Sequence, residues 1–101
     1  MSDFEVYTLA ETVSKIDTEG EMPVTVVHGD RNLLTVLYAP QVEDKQSPHA
    51  EDEIYVVARG NANLTVNGDS RSLHAGDAAF VEAGAEHRFS AMSEDFAVWA
   101  V

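Results

Sequence analysis

The chain has 101 residues, 45% of them hydrophobic, with 18 acidic against 6 basic side chains, a formal net charge of −12 and no cysteine. That length holds one domain with one core, and the missing cysteines exclude disulfides, thiolate metal sites and cysteine nucleophiles. So acidic a surface repels phosphate backbones and anionic lipid, which argues against nucleic-acid and membrane partners.

Residues 1–23 are expected to form an N-terminal arm and residues 24–101 a barrel. Within the arm, Asp3 to Leu9 reads as an edge strand. Thr8 to Ile16 reads alternatively as one or two helical turns, because Thr8 and Glu11 resemble a capping box. The N-terminus lacks a basic region followed by an apolar stretch, and no apolar run approaches the ~20 residues of a membrane span. The expected location is therefore the cytoplasm.

From Val24 onward the pattern is all strand. Val24 to His28 is a β-branched run closed by a turn at His28-Gly29-Asp30, and Leu33 to Ala39 is a second run stopped by Pro40. Ile54 to Ala58 is a third, ending at Gly60. Ala62, Leu64 and Val66 alternate with polar residues, which gives one buried and one wet face. Asn67-Gly68 is a hairpin turn signal, and the returning strand ends at Leu73 before a turn at Ala75-Gly76-Asp77. Ala78 to Glu82, His87 to Ala91 and Phe96 to Val101 follow. Short strands at this spacing mean a barrel or sandwich. Leu64, Val66, Phe80 and Phe89 are expected in its core.

Two segments carry chemistry. In Ser47-Pro-His-Ala-Glu-Asp-Glu53 an extended backbone would turn His49, Glu51 and Glu53 one way and Ile54 and Val56 the other. Carboxylates buried beside a histidine need a cation or donors, and a divalent metal meets that need. The second segment runs from Gly76 to Phe89, where Gly84 makes a tight turn that can bring His87 beside the earlier strand. Asp52 and Arg88 are expected to point away from that face, Asp52 toward a basic group and Arg88 toward the outside or a partner subunit. His28 and His74 read as solvated turn residues. No serine lies in a nucleophile-elbow context, and no glycine-rich phosphate loop is present.

These segments resemble the two motifs of the cupin superfamily. Glu53 precedes Gly60 by seven residues and follows His49 by four, so His49 matches the second histidine of the first motif's pair. Gly76, Gly84 and His87 match the second motif, Gly-x5-Pro-x-Gly-x2-His-x3-Asn, with Glu82 in place of its proline and Ala91 in place of its asparagine. Gln46, Pro48, His49, Asp52, Glu53 and Tyr55 also fit a segment found in small cupins, Gln-x-Pro-His-x-x-Asp-Glu-x-Tyr. The likeness spans about Val24 to Val101. It implies an all-β fold, an antiparallel, jelly-roll-like cupin β-barrel (double-stranded β-helix) behind a short N-terminal arm.

It also implies a metal bound by His49, Glu53 and His87. Ser47 stands where the family's first histidine belongs, so Gln46, Ser47, Glu51 or water would complete the set. Two histidines and a carboxylate suit iron(II), with manganese, nickel, copper and zinc as alternatives. Glu51 and Tyr55 are the candidates for handling protons. The function implied is a metal-dependent enzyme of dioxygenase, isomerase or lyase type on a small polar molecule, with a non-catalytic small-molecule binder or sensor as the rival. A barrel of this size leaves edge strands that need cover, and a homodimer through Met1 to Val13 is expected. His49 and Glu53 lie about 13 Å apart along an ideal strand, so shared coordination requires a bend at Ala50 to Asp52.

Overall fold

A computed structural model describes residues 5–16, 24–29, 34–40, 44 and 48–101. Among these the elements in order are α1 (Leu9–Val13), β1 (Val24–Gly29), β2 (Leu34–Tyr38), β3 (Glu53–Arg59), β4 (Asn61–Val66), β5 (Asp69–His74), β6 (Ala78–Val81), β7 (His87–Ser90) and β8 (Ala97–Ala100). The strands form a five-stranded sheet in the order β1-β2-β8-β3-β6 and a three-stranded sheet in the order β5-β4-β7. Every pairing is antiparallel.

Period-two alternation sets which residues meet between the sheets. From the larger sheet, Tyr38, Tyr55, Val57, Val81, Val98 and Ala100 face inward, and from the smaller sheet Ala62, Leu64 and Phe89 join them. Phe89 is 2% exposed and stacks edge-on against Tyr55, with ring centroids 5.1 Å apart. Burying a side chain of that size stabilises the fold by about 1.5–3 kcal/mol.

A second apolar cluster lies on the outer face of the larger sheet. There Leu37 and Ala97, both fully buried, pack with Ala39 against Leu9, Val13 and Ile16 of the helical segment. The helical reading of the arm therefore holds: Thr8 caps α1 by accepting the Glu11 backbone N–H at 3.3 Å, while Glu5 to Thr8 adopt no regular structure. The rest of the expected edge strand, Asp3 and Phe4, lies outside the described residues, as does Asp30 of the expected turn.

Two glycines steer the chain. Asn67 and Gly68 both take positive φ, +48° and +88°, and close the two-residue β4–β5 hairpin, as the Asn-Gly signal demands. Gly60, at φ +75°, is the single residue between β3 and β4, where the chain leaves one sheet for the other. A Cβ there would lie 2.9 Å from the Phe96 Cα, so the corner admits no larger residue without movement.

Two expectations fail. Phe80 is 63% exposed, because it pairs with Ile54 on the outer face of the larger sheet, and Val66 is only partly buried. His28 lies within β1 rather than in a turn, and its Nδ1 sits 2.9 Å from the Tyr7 hydroxyl. His74 is exposed, as expected of a solvated residue.

Candidate metal centre

Glu53 opens β3 and His87 opens β7, so one candidate ligand comes from each sheet. His49 belongs to neither. It lies in an irregular stretch after Pro48, where the chain bends at Ala50 and Glu51 before β3 begins. That bend closes the distance an ideal strand would impose: His49 Nε2 lies 2.8 Å from Glu53 Oε1. The His49 and His87 rings are 5.2 Å apart, centroid to centroid. One ligand atom from each of His49, Glu53 and His87 falls within 4.8 Å of the others. Atoms bound ~2.1 Å from one ion at right angles are ~3 Å apart, so the three side chains fit a shared cation with small adjustments.

Local bonds fix His87, which is 3% exposed. Its Nδ1 lies 2.9 Å from the Ala85 carbonyl oxygen. A carbonyl only accepts, so Nδ1 carries the proton and Nε2 keeps its lone pair, the arrangement a ligating histidine needs. The Tyr55 hydroxyl donates to that Nε2 at 3.0 Å and lies 3.4 Å from Glu53 Oε1. Tyr55 is 1% exposed, so its one proton serves two acceptors inside the site.

The bend corrects the expected alternation. Glu51 is exposed and stands apart from the three-residue group, because alternation fails where the chain is not extended. Gln46 and Ser47 lie outside the described residues. Asp52 meets no basic group among the described contacts: its Oδ1 accepts the Ala83 backbone N–H at 2.8 Å. Arg88 is exposed and points away from the buried His87, as expected, and its guanidinium donates to the Asp44 carbonyl of its own chain.

Asp44 is a residue that sequence reasoning missed. It is 2% exposed, and its carboxylate accepts from the Tyr38 hydroxyl at 2.5 Å and the Phe89 N–H at 2.7 Å. It therefore ties β2 to β7 two residues past His87. Nothing in the sequence marks it out among the other acidic residues.

This is a small double-sheet barrel with a two-histidine, one-carboxylate cluster where β3 and β7 begin. Residues 34–101 match the family model described as Cupin domain, and the chain belongs to that family. An uncharacterised protein of Streptomyces coelicolor is 39% identical over 74 residues, which cover 71% of this chain and 70% of the relative. Among solved structures, an uncharacterised conserved protein with a double-stranded β-helix domain from Klebsiella pneumoniae superposes with a TM-score of 0.80 at 21% identity, covering 97% of this chain and 88% of that one. A cupin-2 domain protein from Shewanella frigidimarina gives 0.75 at 20% identity, covering 94% and 91%. Identities this low establish the fold alone.

Proposed function

We propose that this cupin holds one divalent metal ion between His49, Glu53 and His87 and uses it on a small polar molecule. The observation that carries the reading is the convergence of three ligand atoms within 4.8 Å, one of them on a buried histidine whose tautomer leaves the Nε2 lone pair for coordination, in exchange for the bond it accepts from Tyr55. Two neutral imidazoles and one carboxylate suit iron(II) best among the divalent ions weighed above. Such an ion supplies Lewis-acid polarisation or oxygen activation.

The chain's own residues do the rest. Ala85 orients His87, and Glu53 offsets the cation's charge. The Tyr55 hydroxyl has a second acceptor in Glu53 Oε1 once Nε2 is engaged. Those contacts support Tyr55, rather than the exposed Glu51, as the proton-handling residue. A homodimer is part of the same reading: β1 is an outer strand of its sheet, and Val26 on it is 62% exposed. No helix among the described residues is long and apolar enough to cross a membrane.

Elemental analysis of freshly purified protein tests the reading. It predicts one tightly held first-row divalent ion per chain, and protein purified without any such ion that also fails to bind added iron(II) or cobalt(II) would refute it. A screen of small polar metabolites against loaded and chelator-stripped protein then separates an enzyme, which changes its ligand, from a binder, which does not.

A further inference from the structure

The three candidate ligands are not held alike. Glu53 and His87 begin strands, and the residue before His87 is pinned as well. Asn67 N donates to the Glu86 carbonyl at 2.9 Å, and Glu86 N donates to Asn67 Oδ1 at 3.2 Å. His49 sits in the irregular stretch, with its side chain 38% exposed. A ligand on such a stretch is placed only as well as its backbone is placed.

Two bonds place it. The Gly84 N–H donates to the His49 carbonyl at 2.8 Å, and the neighbouring Ala83 N–H donates to Asp52 Oδ1, also at 2.8 Å. They join the approach to β3 to the turn between β6 and β7, just beyond the last β3–β6 register pair, Glu53 with Val81. Gly84 takes φ +77° in that turn, and the turn is closed by the Ala85 N–H donating to the Glu82 carbonyl at 3.1 Å. The same turn thus feeds His87 into β7 on one side and grips the His49 backbone on the other.

We propose that Asp52 is a positioning residue for the metal centre: by holding the Ala83 N–H it locks the 49–52 bend against the 83–84 turn and keeps His49 within reach of the ion bound by Glu53 and His87. The proposal rests on the metal reading above. Asp52 touches neither the ion nor its ligand atoms; it acts through His49.

Cobalt(II) titration, followed by visible absorption with thermal unfolding of each metal-free variant alongside, tests it. Asp52→Ala is expected to weaken cobalt binding about 10-fold or more, the usual effect of losing a partner behind a ligand, and to shift the absorption bands toward those of His49→Ala. Asp52→Asn keeps the Oδ1 acceptor and is expected to bind within a few-fold of wild type. In a His49→Ala background, Asp52→Ala is expected to cost nothing further, because the ligand it places is gone. A general loss of stability would persist in that background. Wild-type affinity and spectrum in Asp52→Ala, no rescue by Asp52→Asn, or an undiminished penalty in the double variant would each overturn the proposal. Failure of the wild-type chain itself to bind cobalt would instead defeat the metal reading on which it rests.

Discussion

The two sheets share a core but differ on their outer faces. The outer face of the three-stranded sheet is short and polar: Thr65 donates to Ser70 and Ser72 to Asn63, each at 3.0 Å, with Arg88 and Ser90 beside them on β7. The outer face of the five-stranded sheet is largely apolar, with Thr25 and Thr35 among its polar exceptions. Leu37 and Ala97 are sealed under the helical segment, while Ile54, Phe80 and Val101 remain 46%, 63% and 47% exposed. Alternation reports which way a side chain faces only when one face is wet. In the smaller sheet it does so, and in the larger sheet both faces carry apolar residues, so the pattern alone cannot tell inside from outside.

The largest expected effect follows from that contrast. Phe89→Ala empties a position sealed between the sheets, against Tyr55 and Phe96, and should cost about 3–5 kcal/mol in chemical denaturation. Phe80→Ala removes a ring of the same size from the outer face and should fall within about 0.5 kcal/mol of wild type. Comparable losses would mean that the outer face is covered and the two sheets are more alike than described.

The same contrast explains what was legible in the sequence. Most of the smaller sheet and its Asn67-Gly68 hairpin could be read from the sequence, because hydrophobic alternation and turn chemistry agree there; Val66, at the end of β4, is only partly buried. Phe80 could not, because a phenylalanine in an apolar run gives no sign of which face it takes. At the site, the resemblance to the two cupin motifs singles out His49, Glu53 and His87, and shared coordination by residues so far apart on an ideal strand calls for the bend. The facing of Glu51 and the partner of Asp52 differ from expectation, because the bend that unites the ligands also ends the alternation used to orient them. Asp44 was invisible, since its buried carboxylate is defined by partners distant in the chain, Tyr38 and Phe89.

A smaller effect sharpens the junction between the sheets. Gly60 and Gly68 both take positive φ, so alanine at either should cost roughly 1–2 kcal/mol for the left-handed backbone. At Gly68 nothing lies within 4 Å of the added Cβ, whereas at Gly60 it meets the Phe96 Cα at 2.9 Å. Gly60→Ala should therefore destabilise more than Gly68→Ala by equilibrium unfolding. Equal losses would show that the corner between the sheets yields easily.

A further modest stability effect is expected at the helical segment that covers one sheet and not the other. Thr8→Ala removes the cap from α1 and should cost about 1 kcal/mol or less. A larger loss would mean that the cover over Leu37 and Ala97 depends on the cap more than on its own apolar contacts.

The two sheets meet at the candidate metal centre, where Glu53 of the larger and His87 of the smaller lie beside His49. Metal content measured by elemental analysis, in wild type and in the Glu53→Gln, His87→Ala and His74→Ala variants loaded and desalted identically, tests that directly. The account predicts one ion per chain in wild type and in His74→Ala, whose altered residue is exposed and apart from the group. It predicts loss of the ion in Glu53→Gln, which keeps the shape but not the charge, and in His87→Ala. Equal metal in all four proteins would show that the ion is not held where β3 and β7 begin.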